Sequence, residues 1–452
     1  MKAINPATGR LVRDYPETEP REVESRLARA ARAFPAWRDA GFAARATCLT
    51  RAARLLRDGK DRFARLMTEE MGKLIGAAEA EAEKCAWGCD HFAEHAERLL
   101  APETIATDAS RSLVRCEPLG PILAVMPWNF PFWQAVRAAA PALMAGNVIV
   151  LKHASNVPGC ALALEELFSS AGCAAGVFTT LLLPSRLAER LVDHEVIRAV
   201  TLTGSEEAGR AIAARAGAAI KKMVLELGGS DPFVVLADAD LASVIPQAVT
   251  ARMQNNGQSC IAAKRFIVEG PLAERFEQGF ASRVASLTVG DPLDRATEVG
   301  PLARADLCDT LDRQVQESIA CGARLLAGGK RLPGPGFFYA PTVLADVTPG
   351  MPAFDEETFG PLAAVIRARD QAHAIALANL SRYGLGASLW TADRERGEAM
   401  TARIEAGAVF VNGIVKSDPR LPFGGIKHSG HGRELGAPGI REFVNLKTVW
   451  IG

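Results

Sequence analysis

The feature that most constrains this chain is a regular alternation of short, largely apolar runs and helix-like segments between residues 147 and 226. Four runs have the length and composition of buried strands, at 148–151, 177–183, 199–202 and 222–226. Three segments between them repeat apolar residues with the period of a helix, at 158–171, 186–193 and 206–217. Strands that alternate with helices are typical of βαβ units, so the sequence predicts an α/β fold with a parallel sheet.

The rest of the chain extends this pattern. Residues 21–100 have the apolar spacing of helices, and residues 108–126 have the pattern of strands. A second series of strand-like runs follows Asp231, at 233–236, 265–268 and 408–411. Because a chain of 452 residues is long enough for two or three domains, we expect a second α/β unit after the first.

Composition and charge exclude several classes of protein. Hydrophobic residues make up 48% of the chain and charged residues 23%, which is the composition of a globular protein rather than a disordered one. Lysine and arginine together number 52, as do aspartate and glutamate, so the formal net charge is zero. Since a neutral chain has no overall field to attract a polyanion, nucleic acid is not an expected partner.

The cysteines are typical of a protein in a reducing compartment. There are nine, an odd number, scattered along the chain without a Cys-x-x-Cys motif. Cys85 and Cys89 have no second pair to complete a zinc site, so no metal is expected. The N-terminus lacks the apolar region of a signal peptide, and Arg137, Pro141 and Asn147 interrupt the most apolar segment. We therefore expect a cytoplasmic protein with free thiols and no membrane partner.

One loop between a predicted strand and a predicted helix has the features of a phosphate-binding turn. Gly204 allows close approach to the backbone, and Ser205 can cap the helix and donate to a phosphate at its N-terminus. The same residues also fit an ordinary capped turn of any α/β protein. The dinucleotide motif Gly-x-Gly-x-x-Gly is absent after the first strand, and Gly430-His431-Gly432 imitates only part of it.

Three polar residues in turns are candidates for chemistry. Cys260 follows a Gly-containing segment that would open onto a helix, expose the thiol and lower its pKa. Glu226 precedes Gly228 and Gly229 at a strand end, where a carboxylate can act as a general base. Asn129 lies between aromatic residues and prolines, and its amide can donate to an oxyanion. Taken singly, each residue also has a structural explanation, as a buried thiol, a solvated strand end or a rigid turn.

Five motifs follow one another in the order found in aldehyde dehydrogenases. They are Pro127-Trp-Asn-Phe-Pro131, Glu226-Leu-Gly-Gly229, Gly257-Gln-Ser-Cys260, Glu357-Thr-Phe-Gly-Pro361 and Pro422-Phe-Gly-Gly425-Ile-Lys427. The opening Ile4-Asn-Pro-Ala-Thr-Gly9 matches as well, so the resemblance covers essentially the whole chain. The chain most resembles bacterial NAD(P)-dependent succinate-semialdehyde dehydrogenases, through residues 126–134, 150–154, 226–233 and 258–266.

The resemblance implies a covalent mechanism. Cys260 would attack the aldehyde carbon, while the Asn129 amide and the Cys260 backbone N–H hold the oxyanion. The thiohemiacetal would lose hydride to the nicotinamide and become a thioester, which a water activated by Glu226 would hydrolyse. Relatives that acylate CoA or use phosphate generally lack this glutamate, so Glu226 favours hydrolysis. A catalytically inactive protein on the same scaffold is a further alternative, which the presence of all three residues disfavours.

The resemblance also implies a site for NAD or NADP. Lys152 and Ser155 would lie at the adenine ribose, Gly204 and Ser205 at the pyrophosphate, and Glu357 and Phe359 at the nicotinamide ribose, with Trp128 completing the set. NAD-restricted relatives have glutamate at the position of Ser155, where its carboxylate repels a 2′-phosphate. Because serine removes that repulsion and Lys152 can pair with a phosphate, we expect both cofactors to work.

For the substrate, the resemblance implies succinate semialdehyde. Arg137, Ser417 and Phe423 occupy the positions of substrate residues, and the first two would bind the substrate carboxylate. A second arginine that some relatives carry is Gln254 here, which weakens that carboxylate site. The alternative is a broader or different specificity, for glutarate semialdehyde or other short aldehydes.

The family fold divides the chain into three parts. Residues 1–107 and 125–229 would form a Rossmann-like cofactor domain, and residues 230–430 an α/β catalytic domain. Residues 108–124 and 431–452 would form a small β oligomerisation arm. The apolar C-terminal strand would be an edge in need of a partner chain, so we expect a homodimer or homotetramer. The alternative is that this strand packs within its own subunit.

Overall fold

The computed structural model describes all 452 residues and contains fifteen α-helices. They are α1 Pro20–Asp39, α2 Gly41–Asp58, α3 Lys60–Met71, α4 Ile75–Leu99, α5 Trp133–Met144, α6 Pro158–Ser170, α7 Ser185–Asp193, α8 Glu206–Ala218, α9 Leu241–Met253, α10 Gly270–Ala285, α11 Ala305–Ala320, α12 Pro352–Asp355, α13 Gln371–Asn379, α14 Arg394–Thr401 and α15 Gly436–Ile440. Several begin at a residue that accepts a hydrogen bond from the first turn, as Ser205 and Asp240 do for α8 and α9.

Twenty strands complete the chain. They are β1 Lys2–Ile4, β2 Leu11–Asp14, β3 Glu103–Thr104, β4 Arg111–Pro118, β5 Pro121–Met126, β6 Val148–His153, β7 Phe178–Thr180, β8 Ala199–Thr203, β9 Lys222–Glu226, β10 Asp231–Val235, β11 Ala263–Glu269, β12 Arg324–Ala327, β13 Thr342–Ala345, β14 Leu362–Ala368, β15 Tyr383–Gly384, β16 Gly386–Trp390, β17 Ala408–Val411, β18 Ile426–Lys427, β19 Gly430–His431 and β20 Val444–Ile451. Most of them belong to two large sheets, and the pairs β1–β2 and β15–β18 stand apart.

The first large sheet has six strands in the order β19-β9-β8-β5-β6-β7. Its strands β5 to β9 run parallel, and β19 adds antiparallel to β9. Helices α1, α5, α6 and α8 pack against it, which explains why its central strands are apolar almost throughout. Met126 pairs with His153 and Val125 with Leu202, so the carboxyl ends of β5, β6 and β8 meet at one edge. The turns that leave this edge carry several of the predicted site residues.

The second large sheet has seven strands in the order β12-β13-β14-β11-β10-β16-β17, and only β12 runs antiparallel. Successive side chains of its central strands point to opposite faces. Phe233 and Phe266 pack in one apolar cluster, whereas Val234 and Ile267 pack in another. This sheet is therefore buried on both faces, as a parallel sheet between helical layers must be.

A third, antiparallel sheet has the order β20-β4-β3. Strand β20 pairs with β4 along its whole length, from Val444 opposite Pro118 to Ile451 opposite Arg111. Its second edge has no partner strand in the chain, and Trp450 on this strand is 56% exposed.

The architecture confirms the predicted α/β class with parallel sheets. The division into a cofactor domain, a catalytic domain and an arm stays a prediction, although Pro121–Met126 lies in the six-stranded sheet and so extends across the boundary placed at 124 and 125. None of the helices combines the length and the apolar character that a membrane span requires.

Candidate active site

Cys260 follows a tight backbone segment in the left-handed region. The φ angles of Asn255, Asn256 and Gly257 are 54°, 58° and 74°. A Cβ atom at position 257 would lie 2.2 Å from the carbonyl oxygen of Gly360, so only glycine fits there. The Gly257-Gln-Ser-Cys260 motif is thus the end of a strained turn that sets the position of the thiol.

Two buried cations hold the backbone on either side of this turn. Lys264 donates from Nζ to the carbonyl oxygens of Ser259 and Cys260, at 2.8 and 2.7 Å. Arg252 donates from Nη2 to the carbonyl of Gly257 at 2.6 Å. These bonds fix the peptide units that carry both the thiol and the Cys260 N–H.

The thiol lies in a different environment from the one its sequence predicts. Cys260 is half-buried and leads through a turn into strand β11, not into a helix. Burial raises the pKa of Cys260 to about 12, and the charges of Arg137 and Lys264 offset only part of that rise. The expectation of a lowered pKa is therefore wrong, and the thiol ionises only when a base accepts its proton.

Asn129 lies directly against the backbone that precedes Cys260. Its amide Nδ2 donates to the carbonyl of Gln258 at 3.1 Å, and the side chain is buried. The backbone carbonyl of Asn129 in turn accepts from Nδ2 of Asn255 at 2.7 Å. Since an amide nitrogen carries two N–H groups, one donor remains for a ligand beside the thiol.

Glu226 ends strand β9 and is almost completely buried, with no hydrogen-bond partner for either carboxylate oxygen. Burial raises the pKa of Glu226 well above its usual range, the neighbouring Glu434 raises it further, and Arg137 and Arg433 act in the opposite direction. The charge of Glu226 also acts on Cys260, so the two groups are electrostatic neighbours. A carboxylate held in this way favours its protonated form and becomes a strong base once ionised.

The paired glycines after Glu226 let two groups come close to the turn. A Cβ atom at Gly228 would lie 2.4 Å from Oε2 of Glu357, and one at Gly229 would lie 2.6 Å from the carbonyl oxygen of Cys260. The Gly229 N–H donates to Oε1 of Glu357 at 3.0 Å. The Glu-Leu-Gly-Gly motif thus lets Glu357 and Cys260 approach the same turn.

A cavity of about 380 Å³ joins the thiol to the edge of the six-stranded sheet. Seven of the predicted site residues line it, namely Trp128, Asn129, Gly204, Ser205, Cys260, Glu357 and Phe359. The rings of Trp128 and Phe359 meet edge to face, with centroids 5.7 Å apart. At the far end Ser205 caps α8, and its Oγ accepts from the N–H of Ala208 at 3.3 Å. The structure thus brings predicted catalytic and cofactor residues into one space.

These residues fit a dinucleotide. A Cβ atom at Gly204 would contact only the Leu202 side chain, at 3.6 Å, so the backbone at the N-terminus of α8 is open to a ligand. Lys152 and Ser155 lie outside the cavity, on and just after β6. Burial lowers the pKa of Lys152 to about 8, and the hydroxyl of Ser185, 3.3 Å from Nζ, is its one hydrogen-bond partner. A buried ammonium with so little compensation fits an anionic ligand.

Arg137 is not a lining residue of this cavity, although Thr203, to which it donates, is one, and it already has an anionic partner. Its guanidinium lies over the ring of Phe423, 4.6 Å from the centroid, and donates to the hydroxyl of Thr203 at 3.3 Å. It also forms an ion pair with Glu434, and both side chains are buried. The sequence predicted Arg137 as a substrate residue but gave no sign of this pair.

Ser417 belongs to a neighbouring group of polar residues. Its Oγ lies 2.7 Å from Nζ of Lys84 and accepts from the indole N–H of Trp133 at 3.0 Å. Gln254, at the position where some relatives have arginine, donates weakly to the carbonyls of Ala251 and Ile261. The hydrogen bonds of the Ser417 hydroxyl thus go to Lys84 and Trp133, and none goes to Arg137.

Sequence reasoning missed four charged residues of this region, which are Lys84, Lys264, Arg433 and Glu434. Arg433 and Glu434 follow Gly430-His431-Gly432, a segment considered only as a phosphate loop. Lys264 is close to Cys260 in sequence, which is a usable signal. The sequence around Lys84 carries no such signal, because a lysine on a helix is usually a solvated residue.

Comparison with known proteins gives a consistent result. The chain matches the model of the aldehyde dehydrogenase family over residues 1–449. It is 54% identical over 451 residues to a Synechocystis protein named "Probable succinate-semialdehyde dehydrogenase [NADP(+)]", covering 100% of this chain and 99% of the relative. It is 51% identical to "Succinate-semialdehyde dehydrogenase [NADP(+)] 1" of Mycobacterium tuberculosis (strain ATCC 25618 / H37Rv), with the same coverage.

A solved structure of a similar protein has nearly the same fold as this chain. The succinic semialdehyde dehydrogenase of Streptococcus pyogenes, in complex with NADP+ as the cofactor, superposes with a TM-score of 0.97 at 36% identity. The superposition covers 100% of this chain and 99% of that one. The resemblance carried by the five sequence motifs is confirmed, and the chain belongs to the aldehyde dehydrogenase family.

Proposed function

We propose that this protein oxidises an aldehyde to a carboxylic acid with NAD+ or NADP+, and that succinate semialdehyde is its preferred substrate. The observation that carries the proposal is the single cavity in which Cys260 and Asn129 meet Gly204, Ser205 and Glu357. The names of the similar proteins from Synechocystis and Mycobacterium support the same substrate and cofactor.

In the first step, Cys260 attacks the aldehyde carbon. The thiol must first lose its proton to solvent, because burial raises the pKa of Cys260 to about 12. A carbon–sulfur bond then forms as the carbonyl oxygen gains negative charge. The free N–H of Asn129 and the Cys260 backbone N–H, on a peptide unit fixed by Lys264, stabilise that oxyanion.

The bound nicotinamide cofactor would supply the hydride acceptor. The chain's own residues bind and orient it: the open N-terminus of α8 at Gly204 and Ser205 suits a pyrophosphate. Glu357 is held by the Gly229 N–H and lies 3.6 Å from Nζ of Lys264, which fixes a carboxylate oxygen for ribose hydroxyls.

In the last step, Glu226 takes a proton from the water that attacks the thioester, and the carbon–sulfur bond breaks. A base for this step works best when its pKa is close to the ambient pH. Burial of Glu226 without hydrogen bonds raises its pKa from the usual range of a carboxylate toward the ambient pH. Cys260 leaves as a thiolate and takes up a proton, Glu226 releases the proton that it took from the water, and the carboxylic acid departs.

The class of reaction is tested by following the absorbance of the reduced cofactor with succinate semialdehyde and either NADP+ or NAD+. We expect turnover without CoA or phosphate. A reaction that requires CoA would instead indicate acyl transfer to a thiol, and no reaction with any aldehyde would contradict the proposal altogether.

Substrate preference is tested by comparing kcat/KM for succinate semialdehyde, glutarate semialdehyde and butanal in wild type and in Arg137→Ala. A buried guanidinium favours a substrate that ends in a carboxylate, because burying an unpaired carboxylate is costly. Wild type should prefer succinate semialdehyde to butanal, and Arg137→Ala should lose that preference mainly through KM. A wild type that uses both aldehydes equally would favour the alternative of broad specificity.

The oligomeric state of the protein and its cellular compartment are also proposals. We infer a homodimer or homotetramer, supported by the unpaired edge of β20 and the exposed Trp450 on that strand. Nine unpaired cysteines support a cytoplasmic location. Light scattering after size exclusion measures the mass of the particle in solution. An oligomer that a charged substitution at Trp450 dissociates would support the first inference, and a monomer would contradict it.

A further inference from the structure

A cation outside every recognised motif lies beside the proposed substrate residue Ser417. Lys84, on α4, places its Nζ 2.7 Å from the Ser417 Oγ and 4.7 Å from the centre of the Trp133 ring. No carboxylate forms an ion pair with it, and the Ser417 hydroxyl is its one hydrogen-bond partner. Lys84 is therefore a half-buried ammonium with one hydroxyl partner and one aromatic face.

Arg137, the other cation of this region, differs in its charge balance. Glu434 neutralises its guanidinium in a fully buried ion pair, so the pair as a whole carries no net charge. A substrate carboxylate bound to Arg137 alone would have to share that cation with Glu434. Binding a second carboxylate favourably requires a second positive charge nearby.

Helix α5 connects the two cations. Trp133 and Arg137 are four residues apart and so lie on one face of the helix. Trp133 donates to the same Ser417 Oγ that contacts Lys84, and the charge of Arg137 acts on both Lys84 and Cys260. Arg137 is thus an electrostatic neighbour of both the thiol and Lys84.

We propose that Lys84 is a specificity-determining residue, which together with Ser417 binds the terminal carboxylate of the substrate. This inference rests on the proposed function, since it needs an aldehyde with a carboxylate at its far end. In the complex, the carboxylate accepts hydrogen bonds from the Lys84 ammonium and the Ser417 hydroxyl, while Arg137 contributes charge from the side of Cys260.

The same two residues line a cavity of about 550 Å³. Its wall also carries further cations, and the charged residues on it are Arg57, Glu83, Lys84, Lys416, Asp418 and Arg420. Lys416 is exposed, and it therefore offers a matched control with the same charge on the same wall.

The charge of Lys84 should make substrate binding depend on pH. Burial, together with the charge of Arg137 on α5, lowers the pKa of Lys84 to about 8, against the opposing effects of Cys85 and Glu81 on α4 and of Asp418. The ammonium is therefore present below about pH 8 and lost above it. In wild type, kcat/KM for succinate semialdehyde should fall as the pH rises through that value, and kcat/KM for butanal should not.

The experiment compares Lys84→Met, Lys84→Arg and Lys416→Met with wild type on both aldehydes. Lys84→Met should lower kcat/KM for succinate semialdehyde by about 10- to 100-fold, mainly through KM, as for the loss of a buried charged hydrogen bond. Butanal turnover should stay within about twofold of wild type, which also shows that the variant folds. Lys84→Arg should keep the preference and lose the decline near pH 8, and Lys416→Met should behave like wild type.

The outcomes separate this inference from the one it rests on. A wild type without preference for succinate semialdehyde would overturn the proposed substrate. A wild type with that preference, together with a Lys84→Met variant that retains it, would overturn the role of Lys84 alone. If Lys84→Met fails to fold, the wild-type pH profiles decide: parallel profiles for the two aldehydes contradict the inference.

Discussion

Two buried charged clusters lie at helix α5, and they differ in how completely their charges are partnered. In the first, Lys73 forms an ion pair with Glu81 and lies over the ring of Phe130, 3.8 Å from its centroid. Glu81 also accepts from the backbone N–H groups of Phe132 and Trp133, both at 2.9 Å. Glu81 thus fixes the start of α5 and, with it, the turn that carries Asn129, while Lys73 neutralises the charge of Glu81.

The second cluster leaves its charges incompletely partnered. Glu226 has no hydrogen bond, and Glu434 and Arg137 pair only with each other and with hydroxyl groups. Burial raises the pKa of Glu226 and of Glu434. The contrast teaches that a satisfied buried pair holds the scaffold, whereas an unsatisfied buried charge is available for proton transfer or for a ligand.

The largest effect should follow from removing the thiol at the second cluster. Cys260→Ala eliminates the only group placed to form a covalent intermediate, so steady-state oxidation should fall to background while cofactor binding persists. Activity is measured by cofactor reduction and binding by fluorescence titration. Cys116→Ala, also half-buried but in β4, serves as the control and should match wild type. Normal turnover in Cys260→Ala would refute the assigned nucleophile.

Removing the unsatisfied base should stop the reaction at a later stage. Glu226→Gln keeps the shape of the side chain but cannot accept a proton, so the thioester should persist and turnover should fall by about 10²- to 10⁴-fold. Rapid mixing should still show a stoichiometric burst of reduced cofactor before the slow phase. The same change in the first cluster, Glu81→Gln, should weaken folding without producing such a burst. A Glu226→Gln variant that turns over normally would remove the distinction between the clusters.

Local sequence signals were sufficient where neighbours in sequence are also neighbours in space. The strand predicted at 199–202 and the cap predicted at Ser205 are observed at Ala199–Thr203 and at the start of α8. The motif around Cys260 identified the candidate nucleophile, but the segment leads into strand β11 and not into the predicted helix, and the pKa of its thiol changes in the opposite direction from the prediction. Burial decides that pKa, and burial depends on the packing of distant segments.

Long-range partners could not be predicted from the sequence alone. Lys84 and Ser417 are 333 positions apart, and nothing in either local sequence indicates that they meet. The pairing of Arg137 with Glu434 has the same origin, because α5 and the segment after β19 come together only in the folded chain. The candidate thiol, base and amide were therefore readable from motifs, whereas the charge balance around them was not.

The first cluster should respond to mutation through stability rather than catalysis. Lys73→Met leaves Glu81 as an unpaired buried carboxylate, which should lower the free energy of unfolding by about 3–5 kcal/mol. Urea unfolding followed by circular dichroism measures this change, and kcat of the folded enzyme should stay within about twofold. The exposed pair of Arg62 and Glu166 provides the control, since Arg62→Met should cost under about 1 kcal/mol. An unchanged unfolding free energy in Lys73→Met would contradict the structural role of this pair.

The smallest effect should separate the two cofactors at Lys152, a second buried charge with little compensation. Lys152→Met removes the ammonium that would pair with a 2′-phosphate, so KM for NADP+ should rise by about tenfold and KM for NAD+ should change less. Because the pKa of Lys152 is lowered to about 8, the ammonium is present below that pH. In wild type, KM for NADP+ should therefore increase above about pH 8, and in Lys152→Met it should not change with pH.

Ser155→Glu adds the repulsive carboxylate and should favour NAD+, whereas Lys222→Met, on the partly exposed end of β9, should leave KM for both cofactors unchanged. Equal changes for both cofactors in Lys152→Met would assign this lysine to a part of the dinucleotide that NAD+ and NADP+ share.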